Sequence, residues 1–165
     1  MKRPLKSGWL FWPALLVIFL AAQAWKDRGL VQGRAPPLGT RALDGAGFAW
    51  DDVAGRPAVL YFWATWCPIC RAIRSNVEAL AADYPVISVA LQSGSDSVLR
   101  HYVRREGFTL PVFPDPEGTI AARFGLQGVP AIFIVDAGGT VRYAMTGYTS
   151  ELGLRVRLWL AAHRA

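Results

Sequence analysis

The chain has 165 residues, a formal net charge of +6 and 53% hydrophobic residues, including seven tryptophans. That length suits one domain with a short appendage, and that composition excludes a disordered chain. Fifteen of the eighteen basic residues are arginine, scattered rather than gathered into a stripe, which speaks against a nucleic-acid partner.

Lys2, Arg3 and Lys6 precede an apolar run from Trp9 to Trp25 in which Gln23 is the plainly polar residue. A basic flank before such a run predicts a cytoplasmic N-terminus and an exported domain. Two readings of residues 1–25 compete. As a signal anchor, the run of about 17 residues meets the short end of a bilayer span, with Trp9, Trp12 and Trp25 near its two interfaces. As a signal peptide, Ala22-Gln23-Ala24 offers a small-x-small cleavage site. The anchor is preferred, because the apolar stretch outruns the short core of a cleaved signal. Either way the domain is expected to work outside the cytoplasm, where disulfides persist. Residues 26–39 carry Gly29, Gly33, Gly39 and Pro36-Pro37 and read as a linker. Fully extended, it would reach about 45 Å.

Residues 40–165 read as the domain. Thr40–Leu43 and Phe48–Trp50 flank Asp44-Gly45-Ala46-Gly47 and predict a small hairpin. Pro57 to Trp63 is almost wholly apolar and fits a strand buried on both faces. After Cys67-Pro68-Ile69-Cys70 comes a helix with Ile73, Val77, Leu80 and Tyr84 on one stripe. Pro85 ends it and opens a strand from Val86 to Leu91. Ser95 or Asp96 caps a second helix with the stripe Val98, Leu99, Tyr102 and Val103, ended by Gly107. Val112-Phe113 is extended, Pro114–Gly118 a turn, and Thr119–Phe124 a helical turn or two. Ala131–Val135 and Thr140–Met145 form a hairpin across Ala137-Gly138-Gly139. A last helix begins near Ser150-Glu151, with Leu152, Val156, Trp159 and Leu160 expected on its buried face. Strands alternating with helices predict an α/β fold, with a mixed central sheet flanked by helices and the first hairpin as an N-terminal extension.

Cys67 and Cys70 are the only cysteines. A disulfide across three residues constrains the unfolded chain little, so a structural staple is a poor reason for the pair. Zinc lacks ligands, since the only histidines are His101 and His163, and Arg71 stands where c-type haem attachment needs histidine. Cys67 falls near a helix start, where unpaired N–H groups and the helix dipole favour a thiolate. It is therefore expected as the exposed nucleophile. Cys70, one turn on, points back toward it and would resolve a mixed disulfide formed with a substrate. No cofactor beyond this dithiol/disulfide pair is expected.

The run Phe62-Trp63-Ala64-Thr65-Trp66-Cys67-Pro68-Ile69-Cys70, with Gly128-Val129-Pro130 about sixty residues later, resembles the paired signatures of membrane-anchored thioredoxin-like proteins of the TlpA type. The likeness spans roughly Leu38 to Ala162. Arg71, Ala90–Gly94 and Gly147-Tyr148-Thr149 look most like the thioredoxin-like protein of the suppressor-of-copper-sensitivity system. The resemblance implies a thioredoxin-like fold and a periplasmic domain anchored in a bacterial inner membrane. It also implies protein thiol/disulfide substrates and a membrane redox partner. Within the site it implies that Cys67 and Cys70 are catalytic, that Pro130 is cis and faces them, and that Val129 pairs with a substrate strand. Trp66 and Pro68 would belong to the substrate rim, and Trp63 to the core. A reductase is the preferred direction, because an oxidising compartment leaves more need for one.

Two departures from relatives stand out. Tyr61 occupies the place of the buried Asp of thioredoxins, and Ile73 that of a Glu found in many TlpA-like reductases. Without either acid, resolution of the mixed disulfide by Cys70 should be slow. Two other functions compete. A peroxiredoxin-like peroxidase needs a Thr-x-x-Cys pocket, whereas Thr65 stands only two residues before Cys67. Copper binding could use the two soft thiolates, but the only methionines are Met1 and Met145, and neither histidine lies near a motif.

Overall fold

The computed structural model describes residues 12–15, 17–18 and 29–163. Most of residues 1–25, and with them the choice between anchor and cleaved signal, lies outside the described residues. Trp12–Leu15, Val17 and Ile18 are helical, and among the described residues no helix is long and apolar enough to cross a membrane.

Among the described residues six strands make one mixed sheet. They are β1 (Gly33–Arg34), β2 (Ala58–Trp63), β3 (Val86–Leu91), β4 (Val112–Asp115), β5 (Ala131–Val135) and β6 (Thr140–Thr146), in the order β1-β6-β5-β2-β3-β4. β2 pairs parallel with β3, and β3 with β4, while β5 lies antiparallel to β2 and to β6. From residue 29 to residue 163 the α-helices are α1 (Pro68–Glu78), α2 (Asp96–Glu106), α3 (Thr119–Arg123) and α4 (Glu151–Ala162). The expected mixed sheet with flanking helices is thus present.

β2 is central and buried throughout, so its period-two alternation feeds two cores. Val59, Tyr61 and Trp63 face Ile73 and Val77 of α1, Leu99 of α2, and Leu154 and Leu158 of α4. Leu60 and Phe62 face Ile120, Phe124 and the N-terminal lead-in. On that second side Phe62, Phe124 and Phe133 form a triangle with centroids 5.1–5.7 Å apart. Each such ring contributes about 1.5–3 kcal/mol by burial. Asp115, expected in a turn, ends β4 instead. Its buried carboxylate accepts from the amides of Ile120 and Ala121 at 3.0 and 2.9 Å, capping α3.

The structure corrects several expectations. Thr40–Leu43 and Phe48–Trp50 do not pair as a hairpin. The Ala42 amide donates to Ala46 O at 2.8 Å and the Ala46 amide to Asp44 Oδ1 at 2.9 Å, which closes a local turn. Phe48 meets Trp50 and Phe113 edge-on at 5.0 and 6.0 Å, so ring packing rather than a strand ladder holds the half-buried Phe48 and Trp50. From residue 29 onward the expected linker is part of the domain. Leu30, Ala35 and Leu38 are buried, β1 pairs with β6, and Arg123 donates to the carbonyls of Pro37 and Leu38 at 2.8 and 2.9 Å. On α2, Leu99 is buried but Val98 is exposed. On α4 the buried residues are Leu154, Leu158 and Ala161, while Leu152, Val156 and Trp159 face solvent. α4 is apolar on both sides. Arg155, bonded to Asp83 at 2.7 Å and to Ala79 O at 3.3 Å, fixes which stripe turns inward.

Candidate active site

β2 and β3 run parallel and end side by side, with Trp63 paired to Ala90. The loops that follow them therefore meet at the carboxyl edge of the sheet, where open α/β sheets place their sites. The first loop, Ala64–Cys67, turns back through a bond from the Cys67 amide to Ala64 O at 3.2 Å. Cys67 takes the N-cap position of α1 in extended conformation, and Pro68 follows at the first helical position, where its missing N–H costs nothing. Helix geometry then brings Cys70 round, with the two Cα atoms 5.3 Å apart, and the pair forms a disulfide.

The Cys67 sulfur accepts from the Cys70 amide at 3.1 Å, so the sulfur itself caps the helix. On its other side the carbonyl oxygen of Val129 lies 3.7 Å away. Val129-Pro130 is a cis peptide, as the resemblance implied. Cys67, expected as exposed, is only 4% exposed in the disulfide form, because the Val129 loop packs against it. Its neighbours in the rim are open instead. Trp66 is 58% and Ile69 51% exposed, and Pro68 is exposed too. Trp63 is buried as expected, stacked on Phe108 at 4.6 Å.

Beneath the disulfide, the Tyr61 hydroxyl donates to Cys70 O at 3.0 Å. Burial pushes the ionisation of this hydroxyl far above its usual range, with the neighbouring Tyr102 adding to the shift. Tyr61 is therefore a neutral donor and no base. Ile73 is fully buried beside it.

Two residues that the sequence marked only as part of the run Ala90–Gly94, without a role, hold the rim in place. Ser93, buried, accepts from the Thr65 amide at 3.1 Å and donates to Leu91 O at 2.9 Å. Gln92 accepts the indole N–H of Trp66 at 3.1 Å through its carbonyl oxygen. Among the described residues it is the one non-glycine with positive φ, at 43°. A polar triplet directly after a buried parallel strand was the available signal. Among the described residues no three His, Cys, Asp or Glu side chains gather as a metal site.

Comparison with known proteins agrees with this geometry. The AhpC/TSA family matches residues 31–144. The chain belongs to the AhpC/TSA family. It is 31% identical to a thioredoxin-like protein of Haemophilus influenzae, over 98% of this chain and 96% of that one. It is 28% identical to the thiol:disulfide interchange protein DsbE of Escherichia coli, over 87% and 86% of the two chains. The solved structure of MTB dsbF in its mixed oxidized and reduced forms is 30% identical, with a TM-score of 0.65 over 74% of this chain and 93% of that one. The exposed lipoprotein thioredoxin of Streptococcus pneumoniae, 23% identical, shares the fold with a TM-score of 0.68 over 73% and 96%. This AhpC/TSA member is a thioredoxin-like thiol–disulfide oxidoreductase whose reactive pair is joined within one helical turn.

Proposed function

We propose that the protein reduces disulfides of protein clients outside the cytoplasm, held at the bacterial inner membrane by its N-terminal segment and recharged by a membrane-bound dithiol donor. Cys67 attacks a client disulfide, forms a mixed disulfide and releases one client thiolate. Cys70 then attacks Cys67, releases the second client thiolate and leaves the Cys67–Cys70 disulfide, so two electrons pass to the client. Trp66, Pro68 and Val129 form the surface that receives the client, and the buried cis-Pro130 behind them sets the course of the Val129 backbone.

The observation that carries the direction is the Val129 carbonyl oxygen 3.7 Å from the Cys67 sulfur. Its partial negative charge opposes a thiolate there and counters part of what the Cys70 amide and the helix start supply. Strong oxidants of this class are those whose reduced form is stabilised, and the Val129 carbonyl works against that stabilisation. Arg71, Ala90–Gly94 and Gly147–Thr149 support a place near the suppressor-of-copper-sensitivity proteins. The apolar run Trp9–Trp25 supports the anchor, and exported relatives such as the soluble secreted antigen MPT53 of Mycobacterium tuberculosis support the compartment.

The test is the reduction potential of the full chain in detergent, equilibrated against dithiothreitol or glutathione and read by tryptophan fluorescence. A value near that of thioredoxin, about −270 mV, is expected. A value near about −120 mV would make the protein an oxidant and overturn the direction.

A further inference from the structure

The lead-in joins the domain at the edge that carries the disulfide. The carbonyl oxygen of Gly29 packs on Gly125, which is glycine at φ +70° and has no room for a side chain: a Cβ there would stand 1.9 Å from that oxygen. The next residues are tied down as well, with Leu30 buried and the Val31 amide bonded to Phe124 O at 3.1 Å. Leu30 lines one cleft with Ile69 and Val129, and the Val129 carbonyl oxygen is 3.7 Å from the Cys67 sulfur. From this point the lead-in runs away from the site. β1 pairs with β6, and the Ala35 amide reaches Gly139 O at 2.8 Å, at the turn between β5 and β6. That turn closes the opposite edge of the sheet, since Val135 at the end of β5 pairs with Ala58 at the start of β2.

This attachment point limits where an anchored domain can sit. The apolar run ends at Trp25, and Lys26, Asp27 and Arg28 separate it from Gly29. Four residue steps cover at most about 14 Å, against about 45 Å for a linker free through residue 39. The six residues of β2 span about 20 Å between the two edges of the sheet. With Trp25 at the membrane surface, the Ala137–Gly139 turn cannot face the bilayer, because Gly29 would then stand farther out than the tether reaches. The edge that holds Gly29 and Cys67 is the one kept near the membrane.

We propose that the packed lead-in orients the domain, holding the Cys67–Cys70 edge toward the bilayer, and that the partner it serves is an integral membrane protein with a cysteine pair at the outer membrane surface of that bilayer. The inference rests on the anchor and the exchange reaction proposed above. A short tether raises the effective concentration of the site at the membrane surface and lowers it farther out. A thiolate of the partner attacks the Cys67 sulfur, the Cys67–Cys70 bond breaks, and Cys70 leaves with the electron pair and takes a proton. The partner's second thiolate then attacks its own first sulfur and releases Cys67, so the partner ends as a disulfide and this chain as a dithiol. Gly125 and Leu30 are positioning residues for that encounter.

The test uses the reduced full chain in lipid nanodiscs and two pyridyl disulfides, one on a short spacer from a lipid headgroup in the same disc, the other small and water-soluble. The Cys67 thiolate attacks the probe sulfur distal to the ring, the S–S bond breaks, and pyridinethiolate leaves with the electron pair and is read by its absorbance. The comparison is a variant with about 12 Gly/Ser residues inserted between Arg28 and Gly29, a flexible tether that leaves the packed lead-in intact. The insertion is expected to slow the lipid-linked probe by about fivefold and to leave the soluble probe unchanged. A domain facing away from the bilayer would gain from the longer tether. A lipid-probe rate that rises or stays the same, with the soluble-probe rate intact, would therefore overturn the orientation while leaving the exchange reaction standing. A chain that reacts with neither probe would overturn the exchange reaction, and a chain that does not elute with the discs would overturn the anchor. In either of those cases the orientation falls with the reading it rests on.

Discussion

The hydroxyl of Tyr61 donates to the carbonyl oxygen of Cys70 at 3.0 Å, directly beneath the reactive disulfide. Thioredoxins place an acid at this position, and an acid can take the proton of the second cysteine. The buried tyrosine cannot, because burial pushes its ionisation far above the usual range. Tyr61→Phe should therefore leave the shape of the pH–rate profile for disulfide exchange unchanged. It should lower stability by about 1–3 kcal/mol, since the Cys70 carbonyl loses a buried partner. Loss of a limb of the profile in the phenylalanine variant would assign Tyr61 a role in proton transfer.

Ile73 lies one turn beyond Cys70 and has no exposed surface. Ile73→Glu would supply the base that this site lacks, and resolution of the mixed disulfide by Cys70 should accelerate in stopped flow. Because the carboxyl enters an apolar cluster, the same variant should lose about 2–5 kcal/mol in a denaturant melt. An unchanged resolution rate in a folded variant would show that proton removal from Cys70 does not limit the reaction.

What the sequence revealed follows from how local each signal is. β2 and β5 are unbroken apolar runs and β3 is interrupted only by Ser88, and each opens directly after a proline, so their strands were legible. The Cys67–Cys70 spacing at a helix start was equally local. α4 was misphased because Leu152, Val156 and Trp159 make as good an apolar stripe as Leu154, Leu158 and Ala161. Only the packing against β5 and the turn at Ala79–Ala82 separates the two. Residues 29–39 read as a linker because glycine and proline mark irregular backbone, and nothing local says whether that backbone is free or packed. The packing of Leu30 and the bonding role of Ser93 went unread for a related reason. Their partners, Phe124 beside the first and Thr65 bonded to the second, lie far away in sequence.

Ser93 carries the rim of the site. Its hydroxyl accepts from Thr65 N and donates to Leu91 O, tying the loop after β3 to the loop that presents Trp66. Ser93→Ala leaves the Thr65 amide without this acceptor and should cost about 1–3 kcal/mol. The Trp66 ring, otherwise held through its bond to Gln92 O, should gain freedom. Exchange with peptide disulfides should slow more than exchange with a small aromatic disulfide. Equal slowing of both would reduce Ser93 to a purely structural role.

Asp136 provides a pH test away from the disulfide. It sits at the β5–β6 turn and accepts from the amides of Gly138 and Thr140, each at 2.9 Å, and from Arg142 at 2.5 Å. Partial burial alone would raise its ionisation, but the bonds from Thr140, Arg142 and Gly138 outweigh that, and the net shift is downward. A carboxyl lowered on folding stabilises the native state fully above its unfolded value, about 3.9. That stabilisation is lost as the pH falls through the folded value. The protein should therefore be more stable than Asp136→Asn at neutral pH, with the exposed ion pair to Arg142 contributing at most about 1 kcal/mol. The gap should close on acidification below about pH 4. Urea melts of the two proteins across that range are the measurement, and a gap that stays constant would mean that Asp136 is not held as a carboxylate by this turn.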